Sequence, residues 1–233
     1  MTMNLLAIDT ATECCSAALL CGERLIERSE LAPRRHAELI LPMIDSLLVE
    51  AGLSRRSLDG IAVGRGPGAF TGVRLGISVA QGLALGLDIP VVPVSSLAAL
   101  AQDAPDATGD SILAVIDARM GEIYAGAFRR DNNGLVAPLM DEMVGRATEF
   151  IFPQSKNWTV VGTGWAAYHA ALAARLAAPP RLADGARYPQ ARSVAHLALP
   201  QFVAGQGVSP EYALPVYLRD KVALTLEEQR RAR

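Results

Sequence analysis

Residues 58–96 read LDGIAVGRGPGAFTGVRLGISVAQGLALGLDIPVVPVSS. An apolar run (58–66) closes on glycines, the next stretch (72–87) has helical spacing, and 89–96 returns to extended structure. Strand, helix and strand in that order predict a parallel crossover, with the helix packed across the sheet that both strands join. The central GRGPGAFTGVRLG (64–76) has the outline of a phosphate loop, a glycine-rich turn opening a helix whose free N–H groups attract anions. Its details argue against that use. A Walker A loop needs a lysine after its glycines to reach the phosphates. Here Val73 follows Gly72, and no lysine precedes Lys156. Gly64, Gly66 and Gly68 also lack the third glycine of the dinucleotide fingerprint. The stretch therefore reads as a rigid turn, with Thr71 as N-cap of a helix that begins at Gly72.

Along that helix Gly72, Gly76, Ala80 and Ala84 recur every four residues, beside Leu75, Val79 and Leu83. A face so bare lets another backbone approach to roughly 8 Å. Two uses fit it: close packing on the protein's own sheet, or contact with a partner subunit.

Working outward, NLLAI (4–8) is a buried strand that delivers the polar turn Asp9-Thr10-Ala11-Thr12. CSAALL (15–20) and RLIERSE (24–30) flank Cys21-Gly22-Glu23 as a hairpin. From His36, Leu39, Ile40, Met43, Ile44, Leu47 and Leu48 form one helical stripe ending near Gly52. Pro42 removes a backbone hydrogen bond there, so the helix either starts close to residue 39 or kinks. A short helix is expected from Leu97 to Gln102, and DAPDATGD (103–110) is the best candidate hinge. SILAVIDAR and EIYAGAFRR are strands around a turn at Met120-Gly121, and LVAPLM offers a third. WTVVGTGW (158–165) reads as a strand, followed by a helix to about Ala177, another over 191–204, and a charged helical tail from 220.

Both halves open with strands in hairpin order, and Asp9 and Asp117 each close a first strand, which suggests internal symmetry. The expected fold is α/β with two lobes, each a mixed sheet with helices. The lobes would cover 1–103 and 104–212, with a C-terminal helix of about 213–233 packing back on the first.

With 51% hydrophobic and 20% charged residues, the 233-residue chain can bury a sizeable core. Its 22 basic and 24 acidic residues lack the basic excess of a protein that grips nucleic acid alone. RNA contact is therefore expected only through a partner. Cys14, Cys15 and Cys21 are odd in number and match no zinc spacing, so they read as reduced thiols, one of the adjacent pair buried and one exposed. No apolar run reaches the ~20 residues of a membrane helix, and the start is not a signal peptide. A cytoplasmic protein away from the membrane is expected.

Of the groups that could do chemistry, Asp9, Thr10 and Thr12 at a strand end could hold a metal-bound water or a phosphate oxygen, or cap a turn. His36 has Ile40, not a second histidine, four residues on, and reads as structural. Asp117, Arg119, Glu122 and Tyr124 form a polar group around a turn, with Glu122 and Tyr124 on one face. No catalytic or metal site can be assembled from these residues.

RHAELILP (35–42), GRGPGAFTGVRLG, DARMGEIY (117–124) and YLRD (217–220), behind LLAIDTAT (5–12), together resemble the bacterial TsaB (YeaZ) family of tRNA threonylcarbamoyladenosine biosynthesis proteins. The match runs in order over nearly the whole chain. The resemblance implies a two-lobed fold of the actin, sugar-kinase and Hsp70 class. It also implies work beside TsaD, which transfers threonylcarbamoyl to the adenosine next to the anticodon, and TsaE, a small ATPase. TsaD holds its metal through a His-three-residues-His element on the helix that corresponds to the one near His36, and this chain lacks the pair. A non-catalytic subunit is implied, with no cofactor of its own, ATP only at an interface of the complex, and tRNA reached only through it. The helices at about 36–51 and 72–86 would face TsaD, or a second copy of the chain when TsaD is absent. The implied contacts are Leu39, Met43, Leu47, Gly72, Leu75, Gly76, Val79, Ala80 and Leu83. The alternative is an independent ATP-dependent enzyme of the kinase-like fold using Asp9 and Thr10. Arg219, Lys221 and Arg230 could add to a composite tRNA surface.

Overall fold

The computed structural model describes residues 3–105 and 111–219. It opens with the expected meander: β1 (Asn4–Asp9), β2 (Cys14–Cys21) and β3 (Arg24–Leu31), paired antiparallel. The crossover follows as β4 (Gly60–Gly64), α2 (Phe70–Leu87) and β5 (Val91–Val94), after α1 (His36–Ala51). β4 runs parallel to β1 and β5, and the sheet order is β3-β2-β1-β4-β5. Leu6, Ile8, Leu19, Ile61 and Val63 face α1 and α2. Leu5, Ala7, Leu20, Ala62 and Val92 face α5 (Ala191–Val203). Because helices cover both faces, these strands carry continuous apolar runs. The same cover buries both Cys14 and Cys15, against the expectation that one would be exposed.

α1 begins at His36 and runs through Pro42, correcting the alternative of a start close to residue 39. Pro42 is exposed, so water can take the place of the donor it lacks. The helix ends at Gly52, whose φ of 67° closes the left-handed cap. α2 begins at Phe70 with Ala69 as its N-cap, which leaves Thr71 inside the first turn and not at the cap. Among the described residues, α2 is the helix long and apolar enough to cross a membrane by length and composition. Its Val73, Gly76, Ile77, Ala80 and Ala84 are buried, and Val73, Ile77, Ala80 and Ala84 belong to the core of the first sheet.

α3 (Ser96–Gln102) leads to the second sheet, its first turn capped by Ser95 Oγ accepting from the Ala98 N–H. β6 (Ser111–Arg119) and β7 (Glu122–Arg130) form the hairpin, turning at Met120-Gly121. β8 (Val136–Pro138) and β9 (Met143–Arg146) both pair with β7. β10 (Trp158–Val161) and β11 (Leu182–Asp184) complete the order β11-β10-β6-β7-β8. The WTVVGTGW strand is shorter than its apolar run suggests. Gly162 (φ 109°) turns the chain after Val161 into α4 (Thr163–Ala173), which also ends before Ala177.

The two sheets share a plan. Strands β2-β1-β4-β5 and β7-β6-β10-β11 are each antiparallel, then parallel, then parallel. Each first strand carries, at its end in β1 and two residues before its end in β6, an aspartate that accepts the N–H two residues on: Ala11 to Asp9 Oδ1 (3.0 Å) and Arg119 to Asp117 Oδ1 (2.8 Å). The weak symmetry of the sequence is thus repeated in hydrogen bonding.

α5 lies in the 104–212 range expected for the second lobe, yet it packs on the first sheet. It touches α3, whose Leu97 and Leu100 pack on the second sheet. A chain of charges crosses this joint. Arg192 donates to Glu27 Oε2 (3.1 Å) and to Asp103 Oδ1, and Arg187 donates to Asp103 Oδ2 (2.9 Å) and Asp184 Oδ2 (2.8 Å). Asp103 is the node, its side chain only 10% exposed. Asp103→Ala leaves each guanidinium with one carboxylate partner, Glu27 or Asp184, and should cost about 1–2 kcal/mol in urea unfolding. A loss under ~0.5 kcal/mol would mark the lattice as ordinary surface charge.

Residues 213–219 form neither helix nor strand and lie along α2 before reaching the second sheet. The helical tail expected from 220, and residues 106–110 of the expected hinge, fall outside the described residues.

Candidate partner-binding face and the adjoining cleft

The glycines of 64–76 space one backbone against another. A Cβ on Gly68 would lie 2.2 Å from the Ala11 carbonyl oxygen, and one on Gly72 would lie 2.1 Å from that of Thr10. A Cβ on Gly76 would meet Thr10 Oγ1 at 2.6 Å, and one on Gly64 would meet Asp9 Oδ2 at 2.0 Å. Hydrogen bonds fasten the same contact. The Ala69 N–H donates to Ala11 O (2.7 Å), and Thr10 Oγ1 donates to Gly72 O (2.7 Å). The bare stripe of α2 is therefore filled by the chain's own β1–β2 turn. Of the two uses open in the sequence, the inward one holds for Gly72, Gly76, Ala80 and Ala84.

This packing also decides what Asp9, Thr10 and Thr12 can do. Asp9 is fully buried, with Oδ1 accepting from the Ala11 N–H and Oδ2 from Ser96 Oγ (3.3 Å). Burial pushes its carboxyl up from 3.8 to about 6, and the two hydrogen bonds offset this only in part. Thr10 is spent on α2. Thr12 is buried, its Oγ1 without a partner among the described residues, while its carbonyl accepts from His36 Nε2 (2.8 Å). A carbonyl can only accept, so His36 carries its proton on Nε2 and ties the start of α1 to this turn.

A carboxyl raised on folding takes up its proton earlier in the folded than in the unfolded chain. Asp9 therefore favours the fold below about pH 4, and that contribution is lost as pH rises through about 6. Asp9→Asn keeps an acceptor for Ala11 without the buried charge. It should raise stability at pH 8 by about 1–3 kcal/mol and flatten this part of the pH profile, read by denaturant melts at several pH values. A large loss of stability at pH 8 would contradict this account.

The residues expected at the partner face divide in two. Leu47, Gly76 and Ala80 are buried in the chain's own core and cannot touch a partner in this fold. Leu39, Met43, Val79 and Leu83 are half-buried against that core, and Gly72 and Leu75 are also half-exposed. A second small-residue stripe, Ser78, Gly82 and Gly86, lies on the solvent side of α2, with open space around both glycines. Leu85 beside it is 73% exposed, and Val49 of α1 is 81% exposed. Of the small-residue stripe expected from the sequence to meet a partner, Gly76 and Ala80 thus face inward. The available signal was bulk: Val73 and Ile77 on one side and Val79 and Leu83 on the other place Gly76 and Ala80 at the centre of the apolar arc.

Beside the start of α2 a cleft of about 250 Å³ opens between the sheets. The β1–β2 turn, the β6–β7 turn and residues 216–219 line it. Arg119 spans the turns, donating to Glu13 Oε1 (2.5 Å) and Asp117 Oδ2 (2.9 Å). Arg219 pairs with Glu122. The polar group around Asp117 is thus one wall of the cleft, its charges paired. Among the described residues no three His, Cys, Asp or Glu side chains gather as a metal site would need.

Comparison with known proteins fits this description. Residues 27–225 match the family model described as TsaD, tRNA N6-adenosine threonylcarbamoyltransferase. The chain is 42% identical to the tRNA threonylcarbamoyladenosine biosynthesis protein TsaB of Escherichia coli K12, over 95% of this chain and 96% of that protein. It is 38% identical to the TsaB of Haemophilus influenzae, over 94% and 95% respectively. Among solved structures it is similar to YeaZ from Pseudomonas aeruginosa, at 42% identity and a TM-score of 0.84, over 93% of this chain and 100% of that one. A second Pseudomonas aeruginosa structure, of a protein with similarity to peptidase YEAZ, matches at 43% identity and a TM-score of 0.86, with the same coverage.

Proposed function

The chain belongs to the TsaB family of tRNA threonylcarbamoyladenosine biosynthesis proteins, and from that membership we propose that it is the non-catalytic partner of a TsaD transferase. In this role it supports N6-threonylcarbamoylation of the adenosine next to the anticodon in tRNAs reading ANN codons. One observation carries the non-catalytic part. Asp9 and Thr10, the residues an ATP-dependent enzyme of the kinase-like fold would use, are buried and committed to Ala11, Ser96 and Gly72. The two sheets of common plan support the actin, sugar-kinase and Hsp70 class, with the degenerate member's turn packed shut against α2.

The proposed TsaD-facing surface is the outward side of α1 and α2. Leu39, Met43, Leu75, Val79 and Leu83 supply half-exposed apolar area, and Ser78, Gly82 and Gly86 let a partner helix come close. A second copy would use the same surface when TsaD is absent. TsaE joins the assembly, ATP acts only at its interfaces, and tRNA is reached through the complex. The test is reconstitution with TsaD, TsaE and the adenylate-forming enzyme. Modification should depend on this chain, and equal modification without it would refute the role.

A further inference from the structure

Residues 213–219 make anchored contacts on both sides of the cleft. Ala213 is fully buried in the first core, and its carbonyl accepts from Gln81 Nε2 of α2 (3.2 Å). The Val216 N–H donates to Arg65 O (2.9 Å). Tyr217 packs at a tilt of 33° against Phe70 with ring centroids 5.7 Å apart, and its hydroxyl accepts from Arg74 Nε (2.6 Å). Arg74 in turn lies 3.6 Å over the Phe70 ring. Two residues later the chain has changed sheets. Arg219 NH2 donates to the Ala118 carbonyl (3.1 Å) and pairs with Glu122, at the two ends of the β6–β7 turn.

We propose that residues 213–219 are a strap that sets the width of the cleft by tying the start of α2 to the β6–β7 hairpin. Within its own sheet the hairpin is paired with β9, and among the described residues it has few ties toward the first sheet. Its other bridge, Arg119 to Glu13, joins side chains 71% and 33% exposed and is screened by water. Arg219, by contrast, is 17% exposed and also satisfies a backbone carbonyl, which makes it the stronger anchor. Arg119 and Met120 at the tip both have positive φ (63° and 58°), a conformation that surrounding contacts must maintain. The Asp103 lattice fastens the two sheets a second time. The inference stands whether or not the partner reading is correct.

The test is hydrogen exchange on the full chain, peptide by peptide. In Arg219→Ala, amides of 117–124 should exchange about five-fold faster or more, while those of β1 and β4 stay as in the parent. Arg219→Glu with Glu122→Arg should recover most of the protection. Tyr217→Ala, which frees the other end of the strap at a half-exposed position, should give the same pattern. Unchanged exchange at 117–124 in both single variants would overturn the proposal, as would a uniform loss of protection that includes β1 and β4.

Discussion

Gly72→Ala should destabilise the protein by about 3 kcal/mol or more, while Gly82→Ala, ten residues on in the same helix, should stabilise it by about 0.5–1 kcal/mol. Helix propensity alone favours alanine at both positions by similar amounts. The difference lies in what the new methyl meets. At Gly72 it falls 2.1 Å from the Thr10 carbonyl oxygen, a backbone atom held by the Thr10–Gly72 hydrogen bond and the β1 strand. The turn cannot yield without parting from α2. At Gly82 nothing lies within 4 Å. Denaturant unfolding of the two variants, compared at one protein concentration, reads the sign directly. Stabilisation by both would mean that the stripe is not packed as described.

The second large effect concerns the outward face. Leu75→Arg with Gly82→Arg places two long cations on the solvent side of α2, where the chain has room for them. The isolated protein should keep its fold and melt near the parent temperature. Affinity for TsaD should fall at least about 100-fold, close to 2.7 kcal/mol, because a closely packed helix contact has no place for them. The measurement is calorimetry or co-purification with TsaD, beside circular dichroism of the variant alone. Undiminished affinity in a folded variant would remove α2 from the interface.

Much of the fold was legible because glycine and apolar runs punctuate the chain in chemically forced ways. Gly22, Gly52 and Gly121 all sit at positive φ where the sequence placed turns or a helix end. The β4–α2–β5 crossover followed from pattern and handedness alone. What stayed hidden was decided by distant contacts. Thr71 is a good cap in isolation, but the chain enters α2 one residue before it, with the Ala69 N–H on Ala11. α5 has an amphipathic pattern that fits either sheet, and the Glu27–Arg192 pair places it on the first. Strand-end carboxylates look alike in sequence whether open or sealed, and Asp9 is sealed because Gly64 lets its carboxylate lie against β4. Residues 213–219 carry no regular period, so nothing in their pattern announced a strap.

For the candidate face the sequence names two helices, and its spacing does not separate their inward from their outward sides. α2 has two small-residue stripes, 72-76-80-84 and 78-82-86. Spacing treats them equally, and the turn carrying Thr10 settles which one is buried.

The central claim is that this chain serves threonylcarbamoylation through a surface and not through chemistry at Asp9. It is tested most directly by the rate of tRNA modification in the reconstituted system with two variants side by side. The account predicts near-parent rates with Asp9→Asn and a loss to the level of the chain-free control with Leu75→Arg plus Gly82→Arg. Loss of modification with a folded Asp9→Asn, together with full activity of the α2 variant, would contradict it.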